Sequence, residues 1–320
     1  MQVREIDRHK LTKASAILLE RGGAFASPAW IDLYAGKNKL IGIFNDNDEL
    51  IGTFNIFSFK KYSLTILINP PFAPHINLWY INPAQTPSSV NAFNKQVMQH
   101  MADYLIGTGA HYIKLNFSGA VVDTQALVWK GFQVSNRFTY VLDLSLTEDE
   151  LYQNLSPEKK KSLRKAEKDG VTVSVETDKQ VVFDLIRQSL ERSGKFSNEA
   201  YIRGIVMDFA NASNSLMFTA KDSSGHTIAT SFCVYTSGKA YYLFGGFNEA
   251  HKHHGAGVSC MWACIRKARE MGLGEFDFEG SMVPEIEKYF REFGGQIRPL
   301  QEISYKRFPY KQLSLVIKHK

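Results

Sequence analysis

The sequence predicts an α/β (α+β) chain made of two copies of one unit, each a mixed sheet flanked by helices. Three observations carry this reading. A β-hairpin pattern occurs twice, and each hairpin leads through a loop into a helical pattern that ends at glycine. Each helix is followed by a short strand and a second amphipathic segment closing in aromatic and glycine residues. A length of 320 residues suits two domains of ordinary size better than a single fold.

In the first half the hairpin is ELIGTFNIFSFKKYSLTILINPPF, two strands across a short basic turn. The helix follows in SSVNAFNKQVMQHMADYLIGTGA, where Val90, Phe93, Val97, Met101 and Leu105 recur at three- and four-residue steps. HYIKLNFSG is the short strand, and TQALVWKGFQV closes the unit. The second half repeats the order. HTIATSFCVYTSGKAYYLFGGFN reads as two strands across Ser237-Gly238. GVSCMWACIRKAREMGLG places Val258, Met261, Trp262, Ile265 and Ala268 on one helical face. EFDFEGS is the short strand and EIEKYFREFGGQI the closing segment.

Between the halves, a strand over Thr139 to Leu144 hands over to a polar helix beginning near Asp149. A second helix starts at Ser156-Pro157-Glu158, with a serine cap, proline in the first helical position and an acid in the first turn. The expected domains are 1–146 and 147–320.

Composition is ordinary for a globular chain, with 44% hydrophobic and 22% charged residues. The net charge of +6 favours a polyanionic partner, although it also serves plain solubility. No apolar run is long enough to cross a bilayer, and the N-terminus lacks the pattern of a secretory signal. Cys233, Cys260 and Cys264 fit no zinc spacing and read as small core residues of a reduced, cytoplasmic protein.

Chemistry concentrates late in the chain. FGGFNEAHKHHGAGVSC passes from a strand through a polar loop into a helix. Glycines there permit close backbone approach, and a helix N-terminus favours an anion such as a pyrophosphate. His251, His253 and His254 allow three readings: metal ligands, a base, or phosphate neighbours of Lys252. One short loop rarely supplies three tetrahedral ligands, and Glu249 is the one other donor at ligand spacing, so no metal is expected. In EFDFEGS, Phe276 and Phe278 are expected on one strand face, Asp277 and Glu279 on the other. Paired carboxylates at a strand end can bind an amine or accept a proton, or they can cap the next helix. Arg291 can orient an anion or pair with Glu287 four residues earlier. Tyr289 can act as an acid or pack in the core.

This order of elements resembles the GNAT acyltransferase unit. In that fold the loop entering the central helix carries Gln or Arg, two residues, Gly, one residue, then Gly or Ala. Lys252, Gly255 and Gly257 stand at the matching positions, so lysine replaces the usual first residue. Asp277, Gly280, Phe290-Arg291 and Phe293-Gly294 are similar to the C-terminal signature of double-GNAT proteins, which include the Fem-type peptidoglycan aminoacyltransferases. LSPEKKKSLRKAEKDGVTV resembles their basic linker helix, and the resemblance spans roughly Ser27 to Lys306. The first-half counterpart loop, NPPFAPHINLWYINPAQTP, has prolines and no glycine, which removes N–H donors and marks a degenerate unit.

The resemblance implies an N-acyltransferase moving an acyl group from acetyl-CoA or another acyl-CoA to an amine acceptor, a small molecule or a cell-wall precursor. The donor is expected against Phe244, Gly245, Gly246, Lys252, His254, Gly255, Ala256 and Gly257. Glu279, with Asp277, is the expected base, Arg291 orients the acceptor or steadies developing charge, and Tyr289 is a further candidate. In the Fem-like alternative the donor is aminoacyl-tRNA. Lys161, Arg164, Lys165 and Lys168 share the helix face that would meet its phosphates, with Lys159 and Lys160 in the same run. A third reading is a non-catalytic binder with a degenerate cleft. No DNA partner is expected, because aromatic interleaving is missing from the basic run. The tail RFPYKQLSLVIKHK is basic and amphipathic, suited to docking on the protein, a membrane surface or a second subunit.

Overall fold

The protein is described by a computed structural model that covers residues 1–6, 23–34, 36–192, 198–236, 238–308 and 310. Most of the tail, residues 311–320, lies outside the described residues, as does Ser237 of the second hairpin turn. Two compact units emerge, one of residues 1–137 with 299–320, the other of residues 138–298.

The first unit opens with β1 (Gln2–Glu5), a short helix α1 (Pro28–Asp32) and strands β2 (Asn38–Phe44), β3 (Leu50–Lys61), β4 (Leu64–Ile68) and β5 (Trp79–Tyr80). The β3–β4 hairpin turns through Tyr62 and Ser63, both at positive φ, the geometry that matches the twist of tight hairpins. Helix α2 (Pro87–Gly107) follows, then β6 (Tyr112–Asn116) parallel to β4, and α3 (Gln125–Trp129). The core gathers Phe54, Ile56, Val97, Met101, Leu105, Leu115 and Phe117, all essentially inaccessible. The predicted helical stripe is therefore the buried face of α2.

Strand β7 (Gln133–Asp143) carries the chain into the second unit. There α4 (Glu148–Gln153) begins at a capping box of Thr147 and Glu150, and α5 (Pro157–Lys168) at Ser156. The next elements are β8 (Thr172–Val175), α6 (Lys179–Arg192), α7 (Glu199–Arg203) with a π-turn over Gly204–Phe209, β9 (Ser215–Lys221), β10 (Thr227–Tyr235) and β11 (Lys239–Phe247). Then come α8 (Ala256–Glu270), β12 (Glu275–Asp277) parallel to β11, and α9 (Pro284–Arg291). Sheet order is β7-β12-β11-β10-β9-β8. Helix α8 buries Cys260, Met261, Cys264, Ile265 and Ala268 against this sheet.

The last strand, β13 (Gln296–Lys306), does not close the unit that precedes it. Its residues Glu302–Lys306 pair antiparallel with β6, while β7 pairs through Val141–Asp143 with β12. The repeat is visible in the matching order antiparallel strands, helix, parallel strand, helix, and the closing strands are exchanged. For this reason the compact units divide at 137/138 and return residues 299–320 to the first unit, whereas the sequence places one cut at 146/147.

No helix among the described residues is long and apolar enough to cross a membrane.

Candidate active site

Strands β11 and β12 run side by side only over Lys239–Tyr241 and Glu275–Asp277, and β11 continues to Phe247 paired with β10 alone. A bulge lies on the same strand: Phe232 of β10 faces Phe244, but Cys233 faces Tyr242, leaving Leu243 as the extra residue. Beyond this fork a cavity of about 520 Å³ opens, lined by parts of α6, β10, β11, α8, α9 and the loop before α8.

Six residues of the expected donor and catalytic set meet there, Gly245, Gly246, Lys252, His254, Gly257 and Tyr289, with His253 beside them. Gly257, in the first turn of α8, has open space where a side chain would start. Its N-cap residue, Gly255, offers no side chain; His253 takes the Gly255 and Ala256 amides, and Gly257 and Val258, next along α8, stand at the cavity wall. In the first unit the corresponding α2 is closed by its own side chains, Thr86 accepting from the Ser89 amide and Ser89 reaching back. An anion is therefore favoured at α8 alone of the two helices.

Three of the expected donor residues are elsewhere. Gly255 sits against helix α5, where a β-carbon would meet the Ser162 carbonyl at 2.4 Å, so its glycine serves helix packing. Ala256 is buried beneath the loop, and Phe244 is buried against Phe232. His253 replaces them at the cavity wall. Its Nε2 lies 3.0 Å from Asp169 and its Nδ1 accepts the Gly255 amide, which ties the end of α5 to the start of α8.

The expected carboxylate pair is also rearranged. Strand β12 stops at Asp277, and Glu279 takes a positive φ of 58°, so the two do not alternate on one strand face. Asp277 is buried. It accepts hydrogen bonds from Thr139 Oγ1 and the Glu279 amide and pairs with Lys239 at 2.7 Å. Those three partners occupy it structurally. Glu279 differs, because its Oε1 is buried with no hydrogen-bond partner; neither carboxylate is among the residues that line the cavity. Burial, assisted by the Asp277 charge, holds its carboxyl well above the usual carboxylate range. Gly280 follows at φ 67°, with the Phe138 carbonyl 1.9 Å from any β-carbon, so the backbone of this turn requires glycine.

Arg291 does not reach the cavity. Its Nε donates to Glu287 Oε1 at 2.9 Å, the helix pair of four-residue spacing, and Glu287 also accepts from Tyr140. Tyr289 does reach it, and burial pushes its phenol up, so the group stays protonated. Behind its ring lies Lys159, only 5% exposed, with Nζ 3.7 Å from the ring centroid and 3.3 Å from Glu292. Lys159 thus leaves the solvent-facing basic run to which the sequence assigned it.

Sequence reasoning passed over Thr230, Ser231 and Ser189 at the cavity wall and did not name Tyr242 within the strand expected to meet the donor. The one available signal was the polar pair Thr230-Ser231 inside an otherwise apolar strand. The three cysteines are free and buried, as expected, and burial pushes the Cys260 and Cys264 thiols up, away from nucleophilic use.

Residues 158–291 match the acetyltransferase (GNAT) domain family. This segment is a GNAT acyltransferase domain. The GNAT domain holds the whole cavity, from α6 to α9. Solved structures extend the likeness to the full chain. FemX superposes with a TM-score of 0.69 at 13% identity, covering 98% of this chain and 99% of that one. A domain assigned to a lysylphosphatidylglycerol synthetase from Agrobacterium fabrum gives 0.58 at 12% identity, covering 93% of each. A tandem GNAT protein from the clavulanic acid biosynthesis pathway gives 0.55 at 10% identity, covering 95% and 98%. The chain has their double-GNAT fold. A search of curated proteins finds no significant sequence relative.

Proposed function

We propose that this acyltransferase takes its acyl group from an acyl-coenzyme A and delivers it to a primary amine, on a cell-envelope precursor or a related small metabolite. The observation that carries the donor assignment is the N-terminus of α8 opening on a cavity bordered by Gly245, Gly246, Lys252 and Gly257. Backbone amides there suit a pyrophosphate, and Lys252 adds a positive charge.

The amine attacks the thioester carbonyl, so a C–N bond forms and the C–S bond breaks. Glu279, beyond the last β11–β12 pair and outside the cavity lining, takes the proton lost by the amine through a bridging water. Tyr289, kept protonated by burial, returns a proton to the departing thiolate. Asp277 holds the Glu279 turn through its amide, as a positioning residue. Arg291 takes no part in this scheme.

A second reading, with aminoacyl-tRNA as donor, is favoured by one surface. Lys161, Arg164 and Lys168 are exposed on α5, and the likeness to FemX fits it. A thermal-shift titration decides between them. Acetyl-coenzyme A at millimolar concentration should raise the melting temperature. No rise, together with a salt-sensitive complex with tRNA, would replace the first reading by the second.

A further inference from the structure

We propose that Asp222, His226 and His251 bind a divalent transition-metal ion of the zinc type. Asp222 and His226 close the turn between β9 and β10, and His251 belongs to the loop before α8. One ligand atom from each lies within 4.8 Å of the other two. The Asp222 Oδ2 atom stands 3.1 Å from His226 Nδ1 and 3.9 Å from His251 Nδ1. A tetrahedral zinc with bonds of about 2.1 Å needs ligand atoms roughly 3.4 Å apart, and these two separations bracket that value.

The carboxylate is held ready. Asp222 Oδ1 accepts the backbone amides of Ser224 and His226, which fixes the carboxylate plane and leaves Oδ2 for the imidazoles. The Asp222 amide donates to the His226 carbonyl, so the two ligands face each other across a closed turn. The imidazole rings stack at 4.0 Å and 17°, so metal binding requires one exposed ring to turn about its side-chain torsions until both Nδ1 lone pairs meet at the ion. Partial exposure of all three side chains leaves room for water as the fourth ligand.

The sequence disfavoured a metal because one short loop rarely supplies three ligands and Glu249 was the one other donor at ligand spacing. The structure supplies the missing carboxylate and second imidazole from the β9–β10 turn. Such an ion cross-links that turn to the loop bearing Lys252, His253 and His254, three residues of the cavity wall. It therefore acts as an anchor for the loop, outside the reaction itself. The inference stands whether the donor is acyl-coenzyme A or aminoacyl-tRNA.

The test uses the full chain freed of metal by chelator. Zinc titrated by calorimetry should bind at a stoichiometry of one and raise the melting temperature. Cobalt substitution should give the strong visible absorption of a four-coordinate site. His226→Ala and His251→Ala should each weaken zinc binding by more than the roughly 10–100-fold that loss of an outer-shell partner costs. His100→Ala, on helix α2 of the first unit, should leave it unchanged. Undiminished binding in the His226→Ala/His251→Ala double variant would show adventitious zinc only and overturn the proposal. So would the lack of binding in the unmodified protein. Since the three cysteines are buried, thiols offer no competing site.

Discussion

The hydroxyl of Tyr242 stands 2.0 Å from the point where a β-carbon on Gly245 would fall. The two residues therefore fill one space at the cavity floor, and no side chain fits at 245 while Tyr242 stays. Tyr242 is enclosed beside Cys233, Cys260 and Cys264 and packs on Phe290, so it has little freedom to withdraw. Gly245→Ala should push the phenol into the donor cavity. We expect the unliganded protein to lose about 1–3 kcal/mol of stability, the usual cost of overpacking. The thermal increment from acetyl-coenzyme A should fall to near zero. Measuring both melting temperatures on one preparation separates the effects, and a full increment would place the donor elsewhere.

Glu279 gives a pH signature with a definite sign. Its folded pKa is raised by burial first and by Asp277 second, so the carboxyl is neutral at pH values where an exposed glutamate is charged. A base must be ionised, so turnover should climb as pH rises through that raised value. Glu279→Gln should lower turnover by about 10²–10⁴ and abolish this rising limb, with donor affinity kept. Stability moves the opposite way. The favourable contribution of the raised group is complete below the unfolded pKa of about 4.3 and is lost as pH rises through the folded value. The variant should therefore gain on the wild type at alkaline pH and not at pH 4. A flat rate profile in the wild type would remove Glu279 from the role.

The architecture was legible because it rests on local patterns. The four-residue spacing of Val97, Met101 and Leu105 fixes the buried face of α2, and Ser156-Pro157 fixes the start of α5. The exchange of β7 and β13 was not legible, because strand partnership is non-local and no local pattern in either strand names its neighbour. At the site, Gly246 and Gly257, singled out as glycines, do line the cavity, Gly246 also packing tightly on the Leu185 backbone of α6. Alternation failed at Glu279, where a positive φ ends the strand two residues early. Tyr242 escaped notice since nothing in the letters distinguishes an aromatic at a cavity floor from one in a core.

Arg291 should prove dispensable. Its guanidinium is exposed and engages Glu287, which keeps its hydrogen bond from Tyr140 when the arginine is gone. Arg291→Ala is expected to leave turnover within about twofold and the melting temperature almost unmoved, as for other helix-surface pairs. A loss of turnover beyond tenfold would show that Arg291 swings to the acceptor during the reaction and would restore its catalytic role.

Lys159 should matter more than the exposed lysines of the same helix. It is buried between the Tyr289 ring and the Glu292 carboxylate, and burial lowers its pKa even against the pull of Glu292. Lys159→Met removes the cation from behind Tyr289 and leaves Glu292 shielded from water. Lys288, 3.9 Å from the other carboxylate oxygen, offsets part of that loss. Breaking a buried pair costs about 3–5 kcal/mol, so the partial rescue puts the expected loss near the lower end, about 3 kcal/mol. Lys161→Met, exposed on α5, should cost almost nothing. The double variant Lys159→Met/Glu292→Leu removes both charges together and should recover much of the stability, since the penalty comes from the charge left unpaired. If the double variant is as unstable as Lys159→Met alone, the packing of the lysine stem on Tyr289 and Phe293 outweighs its charge, and the pair is not what holds Tyr289 in place.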